Sequence, residues 1–233
     1  DASVIAPIYG EPYGVVVAGG SNPVLNSIHP YWGNVWAVTK AVSKFVAVGG
    51  NPDEAALIDN FVWPFPDEES LADLDRSVDA LCDMMETLEL PCVSGKDSLS
   101  STYRYPDGRV LKIPPVLHVT VFGRIPHVAK TVSCDIKQSG STLVLVGKMD
   151  ADSLGGSVYF DTQGVDNTQI PHVDTKQLPH TLRAVHKAIQ TREVRSVKAI
   201  AEGGLAAAVS QMCFGGDCGA QIDISVVDAS RPD

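Results

Sequence analysis

Residues 92 to 103 read Cys-Val-Ser-Gly-Lys-Asp-Ser-Leu-Ser-Ser-Thr-Tyr, and within them Ser94, Gly95, Lys96, Asp97 and Ser98 form the stretch most able to do chemistry. A glycine turn offers backbone N–H groups, Lys96 an ammonium and Asp97 a carboxylate. Such a turn would suit phosphate or a metal-bound nucleotide. A Walker A loop is a different object. It needs a glycine five residues before Gly95 and Ser or Thr directly after Lys96, where this chain has Leu90 and Asp97. What remains is a short turn with a charged tip, which taken alone is more often an ordinary surface loop.

The elements around it are legible from periodicity. The clearest helix runs from about Ser70 to Leu90, with Leu71, Leu74, Val78, Leu81, Met85 and Leu88 on one stripe, acidic Asp67 to Glu69 near its start and Pro91 at its end. A second helix spans Val35 to Val48. Val35, Val38, Val42, Phe45 and Val46 share one face, and Lys40 and Lys44 lie together on the other. Tyr13 to Ala18 reads as a buried strand ending at Gly19-Gly20, Asp107-Gly108 as a hairpin tip, and Leu117, Val119 and Val121 as one face of a half-buried strand. These features predict a mixed α+β domain over residues 1–126. Beyond the linker from Pro126 to Gly140, a second domain over 127–233 is expected to hold strands at Thr142 to Val146 and Val194 to Ile200. Helices are expected at Pro179 to Thr191 and Leu205 to Phe214, with a last strand through Ala220, Ile222, Ile224 and Val226. That domain reads as incomplete.

Composition narrows the function classes. With 233 residues, 44% hydrophobic and 20% charged, the chain can bury a substantial core. A net charge of −10 without any Lys/Arg cluster argues against a nucleic-acid surface. No apolar run reaches the roughly 20 residues that span a bilayer, and the start at Asp1 shows neither a basic nor an apolar leader, so a cytoplasmic protein is expected. Five cysteines at irregular spacing form no CxxC pair and read as reduced thiols.

Several stretches in one order carry a resemblance: Asp1-Ala-Ser-Val4, Asn22-Pro23 with His29-Pro-Tyr-Trp32, Val48-Gly-Gly-Asn-Pro52, Leu57-Ile-Asp-Asn-Phe-Val-Trp63, Val93 to Leu99, Ile113-Pro-Pro-Val116 and Glu202-Gly-Gly-Leu205. Together they resemble the second half of the synthetase region of phosphoribosylformylglycinamidine synthase. That family shares an ATP-binding superfamily with aminoimidazole ribonucleotide synthetase, selenophosphate synthetase and thiamine-monophosphate kinase. The resemblance implies an α+β fold: a half-barrel domain completed by a partner half-module, followed by a layered α+β domain, truncated here. It implies a ligase of purine biosynthesis that converts formylglycinamide ribonucleotide, glutamine and ATP to formylglycinamidine ribonucleotide. The missing first half and a glutaminase domain or subunit would be its partners. Alternatives are a non-catalytic half-module for assembly, or a small-molecule kinase of the same superfamily. The isolated fragment is expected to be inactive and to pair with a second copy.

In that family the second half carries an auxiliary nucleotide site. Its magnesium is held by an Asp at the position of Asp1, a Glu and an Asn four apart on the first helix, and an Asp in a His-Asp-x-Ser-Asp/Glu-Gly-Gly-Leu motif. This chain has Lys40 and Lys44 on the helix and Lys198-Ala-Ile-Ala-Glu202-Gly203-Gly204-Leu205 for the motif. The resemblance therefore implies ATP or ADP near Ser94 to Ser98, Lys40, Lys44, Gly203 and Gly204. Mg²⁺ would be at most weakly shared by Asp1 and Asp97, with Lys40, Lys44 and Lys198 as built-in cations that neutralise phosphate or pair with Asp1 and Asp97 in an empty site. Without the resemblance, Lys40 and Lys44 are a solvated helix face, His29 and His118 a loop and a strand-surface residue, and the three tryptophans packing groups. Asp59 and Asn60 read as buried polar groups at a barrel rim.

Overall fold

Residues 1–150, 152–166 and 168–225 are described by the computed structural model. The first part is a sheet of β1 (Ser3–Ile5), β2 (Gly14–Gly20), β3 (Ala55–Val62), β4 (Cys92–Ser98) and, later in the chain, β7 (Val116–Ile125), in the order β1-β2-β7-β3-β4. All neighbours are antiparallel except β3 and β4, which are parallel. The short strands β5 (Thr102–Arg104) and β6 (Val110–Lys112) pair separately as the hairpin whose loop holds Asp107 and Gly108.

One face of this sheet is covered by α1 (Pro23–Ile28) and α2 (Pro30–Ala47), with α3 (Glu68–Leu88) packed against α2. Alternation makes that possible: in β2 the residues Gly14, Val16, Ala18 and Gly20 are buried while those between are half-buried. Gly20 is required by close approach, because a Cβ there would lie 2.1 Å from the Ala37 carbonyl oxygen of α2. Helix α2 starts where the His29 ring accepts a hydrogen bond from Trp32 N–H at 3.4 Å, so His29 is a cap. Its stripe of Val35, Val38, Val42, Phe45 and Val46 is fully buried, as the spacing predicts. Each such side chain contributes about 1.5–3 kcal/mol on leaving water.

Helix α3 is also found, opened by a reciprocal cap between Asp67 and Ser70. Its buried face differs from the expected stripe: Ser70, Ser77, Ala80, Leu81, Met84 and Leu88 are inside, while Leu71 and Val78 are exposed. Ser77 is tolerated inside because its hydroxyl donates to Asp73 O at 2.7 Å, while Leu74 and Met85 of the expected stripe still pack against the core from its margin. The helix ends at Leu88 with Glu89 in a left-handed conformation, before Pro91.

The second part holds α4 (Val158–Gln163), α5 (Leu178–Gln190) and α6 (Gly204–Gly216). The two helices expected there are present. The strands are not: residues 142–146 lie extended and exposed without a sheet partner, and Val194 to Ile200 contributes a single bridge, Ser133 to Ser196. Residues 220–225 form no strand, and Val226 lies outside the described residues. Alternating apolar residues make a strand only when another strand offers its edge. The second part docks through both apolar packing and polar ties: Leu182 joins the main core, and Val173, Leu178 and Val185 pack against it. Arg183 of α5 bonds Asp53 at 2.7 Å and Glu89 at 3.1 Å, His186 Nδ1 lies 3.0 Å from Gly50 O, and His172 stacks on Trp32 at 4.2 Å.

Candidate functional site

The Ser-Gly-Lys-Asp-Ser stretch is not a turn. It is β4, the edge strand, pairing Ser94, Gly95, Lys96, Asp97 and Ser98 with Ile58, Asp59, Asn60, Phe61 and Val62 of β3. A strand sends successive side chains to opposite faces, so Lys96 and Asp97 diverge and no nest of backbone amides forms. The Lys96 ammonium bonds the Ser98 hydroxyl. Gly95 has a packing reason, since a Cβ there would meet Asp59 Oδ1 at 2.0 Å. The same oxygen accepts from the Cys92 thiol at 3.4 Å. Burial, and then the Asp59 carboxylate, push that thiol's pKa up, so Cys92 is a structural thiol. Asn60 Oδ1 is buried and has no hydrogen-bond partner among the described residues. His118 is exposed on β7, and Trp63 is buried with its indole N–H on Ser70 O at 2.8 Å.

Asp1 stands beside the opposite edge, ahead of β1. Four inter-strand steps of about 4.8 Å separate the two edges by roughly 19 Å. A single chain therefore does not bring Asp1 and Asp97 to one ion.

What the fold does assemble is the lysine cluster. The Asp1 carboxylate is 1% exposed; one oxygen takes Lys198 Nζ at 2.7 Å and the other Ala199 N–H at 3.3 Å. Lys40, 12% exposed and so not a solvated face, bonds Glu202 and the Ser21 carbonyl. Burial alone would raise the Glu202 pKa, but the Lys40 hydrogen bond holds it below its ordinary value. Lys44 sits one turn after Lys40 and its pKa is lowered, first by burial and then by the Lys40 charge. Gly203 and Gly204, both at positive φ, begin α6 just after Glu202. A cavity of about 130 Å³ opens between Lys44, Lys198, Glu202 and Gln211. Gln211 was not singled out from sequence, because a lone glutamine on a helix of small residues carries no pattern.

These residues do not fit a magnesium ion. Mg²⁺ needs near-octahedral oxygen ligands, whereas here both Asp1 oxygens are engaged by donors and Glu202 is held by an ammonium. Among the described residues no group of three or more His, Cys, Asp or Glu side chains could hold a metal. All five cysteines are free thiols, and among the described residues no helix is long and apolar enough to cross a membrane.

The chain was compared with known proteins. Residues 138–233 match the family of AIR synthase related proteins, C-terminal domain. The phosphoribosylformylglycinamidine synthase subunit PurL of Thermoplasma acidophilum is 31% identical over all of this chain, which covers 29% of that protein. Among solved structures, T. maritima PurL complexed with FGAR superposes with a TM-score of 0.77 at 18% identity, covering 100% of this chain and 36% of that one. PurLQS from Thermotoga maritima gives 0.70 at 17% identity, covering 100% and 35%. At such identity these two likenesses establish the shared fold. The chain spans about a third of the length of the proteins it matches.

Proposed function

This chain is an AIR synthase-related protein of the phosphoribosylformylglycinamidine synthase type, and from that premise we propose that it is the second synthetase half-module of such a ligase. In this reading residues 1–126 form the barrel domain and 127–233 the C-terminal domain. The module contributes to making formylglycinamidine ribonucleotide from formylglycinamide ribonucleotide, glutamine and ATP, with a first synthetase half and a glutaminase subunit as partners. Its own nucleotide site has become an ion-paired structural joint. The observation that carries this role is that the Asp1 carboxylate bonds Lys198 and Glu202 bonds Lys40, so the cations are supplied by the chain. Where magnesium neutralises phosphate in phosphoryl transfer, such a site has fixed ammonium groups instead.

The half-module also presents the sheet face turned away from α2, where Val15, Val17, Ile58, Val62, Val116 and Phe122 are half-buried. We propose that this face meets the first half in the ligase and a second copy in the isolated chain. Light scattering at micromolar concentration is expected to give a dimer. Calorimetric titration with ADP and a non-hydrolysable ATP analogue, each with and without Mg²⁺, tests the role of the site. No magnesium-dependent binding is expected. Micromolar binding that requires magnesium would overturn the structural joint and restore a working nucleotide site.

A further inference from the structure

The two ion pairs leave one charge over. Lys40 and Glu202 neutralise each other, as do Lys198 and Asp1, while Lys44 has neither hydrogen bond nor ion pair among the described residues. Lys44 nevertheless lines the cavity between α2 and α6, together with Lys198, Glu202 and Gln211 and with the small side chains of Ala199 and Ala201. The one carboxylate that acts on Lys44 is Glu202, already engaged by Lys40, so three lysines face two carboxylates and one positive charge is left that a bound anion would offset.

We propose that this cavity is a metal-independent site for a single phosphate group, anchored by Lys44. The proposal rests on the preceding reading only in that the residues exclude magnesium. Lys44 would supply the charge, Gln211 an amide N–H₂ donor, and Lys198 the ammonium protons that Asp1 does not take. Size sets the ligand class. About 130 Å³ is well below the roughly 300–1,000 Å³ of pockets that enclose a drug-sized molecule, so the cavity can enclose a phosphate group and cannot enclose a whole nucleotide. The alanine walls leave space for the oxygens without adding a further carboxylate. The phosphate could be free orthophosphate or the end of a sugar phosphate, and both share this chemistry.

The test is calorimetric titration of the chain with sodium phosphate in chelator-treated buffer at constant ionic strength. Ribose 5-phosphate and ADP are titrated in parallel, and all three titrations are repeated with magnesium. Saturable phosphate binding that magnesium leaves unchanged is expected. Lys44→Gln should weaken it at least about tenfold, the factor that 1.4 kcal/mol represents, and Lys44→Arg should retain most of it. Ribose 5-phosphate binding tighter than orthophosphate would identify an ester as the ligand, and the reverse order would identify the free ion. No saturable phosphate binding, or full binding by Lys44→Gln, overturns the proposal and leaves the structural joint standing. Binding that requires magnesium overturns both. ADP binding far more tightly than either small phosphate overturns the size argument.

Discussion

At the β4 edge of the sheet, Lys96 and Asp97 stand next to each other in sequence and point to opposite faces, their strand open to solvent. At the β1 edge, Asp1, Lys40 and the 198–202 segment that carries Lys198 and Glu202 come from three separate places in the chain and end in two short ion pairs. The contrast shows that convergence in space, which sequence adjacency does not supply, turns charged side chains into a site. It also shows which changes should matter, because at the covered edge Asp1, Lys40 and Lys198 have largely left water, while Glu202 and the charges of the open edge have not.

The largest effect is expected from Lys198→Met. It would strand the Asp1 carboxylate, 1% exposed, with only the Ala199 N–H at 3.3 Å, and removing one partner of a buried pair typically costs about 3–5 kcal/mol. Urea unfolding should place the loss near the low end, since Lys198 itself is 15% exposed. A cycle with Asp1→Asn should show the two changes strongly non-additive. A loss below about 1 kcal/mol would mean that this edge is no better organised than the other.

Gly95→Ala should come next, and it tests whether the open edge has any packing demand. The new methyl would meet Asp59 Oδ1 at 2.0 Å, forcing that carboxylate away from the Cys92 thiol. Overpacking of this kind costs about 1–3 kcal/mol, and because Asp59 can swing, the low end is expected in the same unfolding experiment. Thiol titration should follow: with the carboxylate displaced, the Cys92 pKa falls towards its ordinary value. An unchanged thiol would mean that burial alone raises it.

The fold was legible in the sequence wherever one face of an element is buried. The valines of α2 and the alternation of Leu117, Val119 and Val121 in β7 report their own environment. The α3 stripe was misplaced because Ser70 and Ser77, polar by type, are the residues small enough to sit inside. Thr142 to Val146 is a β-branched and apolar run and Ala220 to Ile224 alternates as a strand does, yet both lack a neighbour to pair with, and a local pattern cannot state whether a neighbour exists. For the site, the substitutions at Lys40, Lys44 and Ala199 were visible as departures from a family pattern. The lysines were also legible as cations for Asp1 or Asp97, and the structure gives Lys198 to Asp1, 197 positions away, and leaves Asp97 to solvent.

Lys40→Met is expected to cost less than Lys198→Met, about 1 kcal/mol or below, because Glu202 is 46% exposed and solvent screens the pair. Its pH dependence sharpens the comparison. The folded-state pKa of Glu202 lies below the ordinary 4.5, so the stability that the group contributes is complete above 4.5 and is lost as pH falls through the folded value. Lys40→Met should therefore cost most near neutral pH and converge with the parent chain in acid. A difference that grows on acidification would reverse the sign and refute the assignment of Glu202 as Lys40's partner.

The smallest effects should come from Lys96→Ala and Asp97→Ala, each expected within about 0.5 kcal/mol, as for surface positions that make no special contact. The Lys96 bond to Ser98 is local and exposed, and Asp97 is exposed and makes no ion pair among the described residues. Neither change should alter phosphate binding, since both lie roughly 19 Å across the sheet from the Asp1 side. The decisive experiment is the pair of variants in the phosphate titration beside Lys44→Gln. If Lys96→Ala abolished binding and Lys44→Gln did not, the two edges would exchange roles. The Ser-Gly-Lys-Asp-Ser strand would then be acting on a ligand that a second chain helps to hold, because within one chain its lysine and its aspartate face apart.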